Sequence, residues 1–218
     1  MKTRVWFVAT AALLLVAPAA HAQLAITEVV EGNGANFKYV EIRNTGATSF
    51  DLTTAGAQLR RYSNGGTTAT NINLTGTIAA GAFFVIANNA TDFNAIWPLP
   101  AAANQYDSNV NHNGDDSYQL WNGTAVVDGF AYDWVTGTDP GNPAADGAFH
   151  RVGSAYPNNG NWGGVVAVAD GGTSASGFWI RAAITATNAN AAAVCTPGAA
   201  GGSSGAELPV ELLGFGIE

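Results

Sequence analysis

The sequence predicts an all-β protein, a sandwich or barrel made of many short strands. Three observations carry this. Apolar or alternating runs of a few residues recur along the chain, clusters of Gly and Asn separate them, and long helical periodicity is absent.

Leu24 to Val30 is the first strand, with Leu24, Ile26 and, less regularly, Val30 on alternating positions. Asn33-Gly34 ends it, because that pair takes positive φ at little cost. Phe37 to Arg43 follows, with Val40 and Ile42 facing one way and Phe37, Tyr39 and Glu41 the other. Phe50 and Leu52 share a short strand. Leu59 to Tyr62 is another, closed by Asn64-Gly65-Gly66, and Ile72 with Leu74 forms a further alternating pair. Gly76 and Gly81 bracket Ile78. Phe83 to Ala87 is continuously apolar, as a strand buried on both faces is. Asp92, Phe93, Ile96 and Trp97 fit one helical turn, which Pro98 and Pro100 stop. Tyr118 to Trp121, Asn122-Gly123 and Thr124 to Tyr132 read as a hairpin. Residues 136–177 are rich in Gly, Asn, Asp and Pro, and Phe178 to Ile184 reads as a late strand.

These elements divide the chain. Lys2 and Arg4, the apolar run Val5 to Val16 and Ala20-His21-Ala22 have the layout of a signal peptide over residues 1–22. A sandwich core over 23–135, a loop-rich extension of the same domain over 136–198, a Gly/Ser linker over 199–206 and an apolar segment over 207–218 are expected after it. The apolar run is too short to span a bilayer comfortably, and no second one exists. The expected location is extracytoplasmic, secreted or at the cell surface, with no transmembrane segment after signal removal.

The chain has 8 Lys and Arg against 16 Asp and Glu, and losing Lys2 and Arg4 makes it more acidic. Nucleic acid is therefore not an expected partner, since a phosphate backbone needs clustered cations to displace its counterions. Cys195 is the only cysteine, so no intrachain disulfide forms and stability must come from packing.

Chemistry-bearing motifs are sparse. Gly201-Gly202-Ser203-Ser204-Gly205 matches a nucleophile elbow in letters, but it lies in a linker rather than between a strand and a helix. His112 and His150 lack both zinc-ligand spacing and a positioned nucleophile, and read as structural or surface residues. The best metal candidate is the stretch from Asp107 to Asp116, where Asp107, Asn111, Asn113, Asp115 and Asp116 offer hard oxygens for calcium. Read as an EF-hand loop from Asn109, Gly114 takes the sixth position, but Leu120 stands where the last ligand should be Glu. The same residue types also build turns. No other cofactor is expected. Trp97 and Trp162 read as loop-borne rings, candidate platforms for a sugar or another ligand.

In order along the chain, several landmarks resemble the lamin tail domain family. They are Leu24-Ala-Ile-Thr-Glu-Val-Val30, Tyr39-Val-Glu-Ile-Arg-Asn44, Phe50-Asp-Leu52, Leu74-Thr-Gly-Thr-Ile78 with Gly81-Ala-Phe-Phe-Val-Ile86, Asn113-Gly-Asp-Asp116 leading to Val126-Val-Asp128, and Thr196-Pro-Gly198. The resemblance implies an immunoglobulin-like antiparallel β-sandwich with a loop-rich C-terminal extension. It also implies a non-catalytic binding, attachment or structural module for a surface or matrix ligand, carbohydrate or protein. Family members accompany surface nucleases and phosphatases, so the alternative is an accessory or hydrolytic protein. The resemblance brings no catalytic residues. Glu41 and Asn44 are expected to hold turn and strand backbone. Glu207-Leu-Pro-Val-Glu-Leu-Leu-Gly-Phe215 is similar to the stretch that precedes a C-terminal sorting domain in exported bacterial proteins, and reads equally as a docked terminal strand.

Overall fold

The computed structural model describes residues 24–32, 37–97, 103–131, 135–151, 179–184, 195 and 197–198. The expected leader, Trp162, the linker and the segment 207–218 lie outside these residues.

The first sheet is six-stranded. At its centre β1 (Leu24–Glu31) pairs antiparallel with β2 (Lys38–Asn44), and β2 with β7 (Phe83–Ala87). Beyond β1 lie β11 (Gly147–Arg151) and β12 (Trp179–Ala183). Beyond β7 lies the short β8 (Gln105–Tyr106), the sheet's parallel neighbour. The second sheet runs β10 (Val126–Phe130), β9 (Ser117–Trp121), β4 (Gln58–Tyr62), β5 (Ala69–Asn73). A small ribbon of β3 (Phe50–Asp51) and β6 (Thr77–Ile78) joins the rim.

Alternation explains why these strands form a sandwich. Val40 and Ile42 point into the core between the sheets, with Leu59, Ile72, Tyr118 and Leu120 facing them from the second sheet. Phe37 and Tyr39 point the other way, into a second cluster with Val85, Phe93, Ile96, Trp97 and Cys195. Helix α2 (Ala90–Ile96) supplies part of this cover. Asn89 caps it by accepting the Asp92 N–H at 2.8 Å. The first sheet is thus buried on both sides, as the apolar run of β7 requires.

One expectation needs correction. Leu52 belongs to α1 (Leu52–Ala55), a single helical turn capped by Asp51, rather than to the strand of Phe50. Its side chain still reaches the main core. Within the loop-rich extension β11 pairs with β1, Val29 opposite Phe149, and carries β12, the expected late strand, on its far side. Phe149 and Trp179 both enter the main core, so this part of the chain completes the sandwich.

Each sheet carries a bulge. In β1 the register shifts between Ile26 and Glu28, and in β10 between Val126 and Asp128. The two irregularities meet. Asp128 Oδ2 accepts the Ile26 N–H at 2.7 Å, and Arg151 donates to the Ile26 carbonyl at 2.6 Å and to Asp128 at 2.5 Å. Trp179 stacks on the Arg151 guanidinium, 4.4 Å from ring centroid to Cζ. One buried ion pair therefore joins β10 to β1 and β11, across both sheets.

Candidate functional site

The loop from Asp107 to Asp116 is ordered by its own backbone needs. Asp107 Oδ1 accepts the Asn109 N–H and side-chain amide, both at 2.9 Å, closing an Asx turn. From there side chains alternate between solvent and interior: Asn111 and Asn113 are exposed, while His112, Asp115 and Asp116 are buried. Gly114 makes the turn between them with φ +93°, and a Cβ there would stand 2.4 Å from the Ala145 nitrogen.

His112 lies 2.7 Å from the Val30 carbonyl through Nε2 and 2.8 Å from the Tyr118 hydroxyl through Nδ1. A carbonyl only accepts, so Nε2 carries the proton and Nδ1 accepts from Tyr118. Burial, reinforced by Lys38, lowers the imidazole pKa to about 3, so the ring is neutral.

Asp116 accepts the Asn64 N–H at 3.0 Å and pairs with Arg61 at 3.3 Å. Burial nevertheless raises its pKa to about 6. Asp115 is raised too, by burial and then by Asp139. Glu31, 3.5 Å from Lys38, is raised by burial to about 7. Glu31, His112 and Asp116 line a cavity of about 10 Å³, room for about one water.

Of the expected calcium ligands, Asp107 accepts from Asn109 in its own turn, Asn111 and Asn113 are exposed, and Asp115 and Asp116 are buried, Asp116 paired with Arg61. Among the described residues no group of three or more His, Cys, Asp or Glu side chains comes together to hold a metal ion. Trp97 is not a displayed ring either. It is 7% exposed and packs on Phe93, Tyr39 and Phe37 at centroid distances of 4.9, 5.3 and 6.0 Å. Trp162 lies outside the described residues.

Other ionisable groups line the outer side of the first sheet. Glu28 receives the Tyr39 hydroxyl at 2.5 Å and lies 3.1 Å from His150 Nδ1. Glu41 accepts the Thr27 hydroxyl at 2.6 Å and the Gly198 N–H at 2.7 Å, so it fastens the bulge residue of β1 and the Pro197-Gly198 turn to β2. Burial raises its pKa to about 7 against these bonds. Cys195 is buried in the second cluster, and burial holds its thiol well above the usual range. Asn44 donates to the carbonyls of Thr48 and Ile78 and accepts the Gly46 N–H. A histidine beside a carboxylate resembles a base with its orienting group. Here both are buried, and the carboxylate is shared with a tyrosine.

Sequence reasoning missed the outward face of the second sheet. There Trp121, half-buried, carries the Arg60 guanidinium 4.1 Å above its ring. The register Arg60 opposite Gln119 and Gln58 opposite Trp121 creates this stack, and no local motif signals it.

Two comparisons bear on these features. No curated protein matches the chain. The Lamin Tail Domain model matches residues 17–136, more than half of the chain, and so takes in β1 to β10 with Asp115, Asp116 and Asp128. β11 and β12 follow the matched region and complete its sheet. Two antiparallel sheets in an immunoglobulin-like sandwich, the ordered landmarks and this match establish that the chain belongs to the lamin tail domain family.

Proposed function

We propose that this protein is an exported, non-catalytic binding or attachment module of the lamin tail type. The observation that carries the reading is where the reactive side chains go. Glu28 and His150 are buried against each other, Asp128 and Arg151 clasp the Ile26 backbone, and His112 bridges Val30 and Tyr118. A hydrolase keeps a base and a nucleophile open to substrate. These groups instead answer the backbone and one another. A rigid sandwich with loops at its ends and one polar sheet face outward suits recognition. The leader at residues 1–22 and the acidic balance fit a role outside the cytoplasm.

The test has two arms. Purified protein is assayed on DNA, phosphate esters and glycosides, and it is incubated with washed cell-envelope material and sedimented. The reading expects no turnover and retention on the envelope. Turnover lost on Asp115→Ala or Asp116→Ala would overturn the first half, and a protein that stays in the supernatant would overturn the second.

A further inference from the structure

Arg60 has no carboxylate partner among the described residues. Lys38, Arg61 and Arg151 are each paired with a carboxylate. Arg181 donates to the Ala145 carbonyl, and Arg43 to the Gly81 carbonyl with its guanidinium 5.2 Å from the Phe83 ring centroid. Arg60 is held by neutral groups: its guanidinium lies on the Trp121 ring, and its Nε donates to Gln58 Oε1 at 3.1 Å. Gln58 is fixed in turn by Asn73 at 3.1 Å, whose carbonyl accepts Gln105 Nε2 at 2.8 Å. The guanidinium is thus set in place before any ligand arrives, and its two terminal amino groups make no hydrogen bond to the described residues.

The surroundings select a ligand. Leu59, Ile72 and Leu120 face the core, so alternation turns Gln58, Arg60, Asn71, Asn73 and Trp121 outward, with Gln119 on the same face but buried and bonded to the Tyr62 hydroxyl. None of these is a carboxylate, in a chain whose formal net charge is −8. A planar fork of N–H donors matches a carboxylate in two parallel bonds. Primary amides beside it match hydroxyl groups, which both donate and accept. An indole edge offers apolar area to ring C–H groups. Carboxylate, hydroxyls and a flat C–H face occur together in a uronic acid.

We propose that the outward face of β4, β5 and β9 binds a polysaccharide carrying uronic acids, with Arg60 taking the carboxylate and Trp121, Gln58 and Asn73 positioning it. This rests on the binding-module reading and names the ligand class. Arg60 is the ligand-touching residue, and Gln58 acts through it.

The experiment is calorimetric titration of the full chain with oligogalacturonate, neutral cello-oligosaccharide and poly-glutamate. The variants are Arg60→Ala, Arg60→Lys and Trp121→Ala, each with a thermal melt to confirm folding. Binding of oligogalacturonate alone is expected, weakened about tenfold or more by Arg60→Ala and only partly restored by Arg60→Lys, since lysine presents no fork. No oligogalacturonate binding at about 1 mM overturns the proposal, as does equal binding of poly-glutamate or indifference to Arg60→Ala in a folded variant. The envelope assay separates the two readings. Arg60→Ala retained like the wild type sinks this site and leaves the binding module standing, whereas loss of retention for the wild type sinks both.

Discussion

The two buried layers on either side of the first sheet are built differently. The layer between the sheets is mostly apolar, with Glu31, His112 and Asp116 lining a small cavity beside Val29, Phe130 and Phe149, and its charged tie across the sheets is the Asp128–Arg151 pair, stacked on Trp179 and satisfied by the Ile26 backbone. The outer layer mixes an aromatic group, Phe37, Tyr39, Phe93 and Trp97, with Glu28, Glu41, His150 and Cys195. The first layer sets the fold through area and shape. The second adds ionisable groups to a low-dielectric space, so its strength depends on pH.

The largest expected effect comes from breaking the tie between the sheets. Asp128→Ala leaves Arg151 buried without its partner and the Ile26 N–H without an acceptor, and should cost about 3–5 kcal/mol in denaturant unfolding. A loss below about 1 kcal/mol would mean that the two sheets hold without it.

Leu120→Ala in the inner layer should cost about 2–5 kcal/mol, and by the same amount at every pH between about 5 and 8. A pH-dependent loss would blur the distinction between the layers.

The carboxyls sharpen it further. Glu41 and Glu31 titrate near 7 and Asp116 near 6 in the folded chain, all above their ordinary values. A carboxyl raised on folding binds its proton more tightly in the native state, so its stabilisation is lost as pH rises through the folded value. His112, lowered to about 3, acts in the opposite direction below its ordinary value of 6.5, but it is one group against three. Stability should therefore fall as pH rises from about 5 to 7.5, and Glu41→Gln should flatten that fall while wild type and variant converge at the acid end. A wild-type profile that rises across this window would show that the buried carboxyls are ionised and well compensated.

The smallest expected effect is that of calcium. Asp107 is engaged in its own turn and Asp116 by Arg61 and the Asn64 N–H, so millimolar calcium should leave the melting temperature unchanged. A clear upward shift, abolished by Asp115→Asn, would restore the loop as a metal site.

Much of the fold was legible in the chain. The opposed faces of β2, the two-sided burial of β7 and the hairpin at Asn122-Gly123 follow from alternation and turn chemistry, which act over a few residues. What could not be read depends on pairing across long separations. β11 hid in a Gly-rich stretch because its Gly-Ala-Phe-His-Arg run mixes small, aromatic and charged residues, and His150 and Arg151 look solvent-facing until Glu28 and Asp128 are placed beside them. Trp97 stood before a proline and read as a loop ring, yet it is the residue that ends α2 and turns its indole under the helix. Asp128 appears as a hairpin residue, and only its bond to Ile26, 102 positions earlier, shows its role. The Arg60–Trp121 stack likewise exists only through the β4–β9 register.

Whether the buried reactive groups serve the fold is tested most directly at His150. Equilibrium unfolding of His150→Asn should show a loss of about 2–3 kcal/mol, because Glu28 is left buried beside Tyr39 with its imidazole partner gone. A variant that unfolds at the wild-type denaturant concentration and is no longer retained on the envelope would contradict the account, since the pair would then be kept for what the protein does rather than for how it folds.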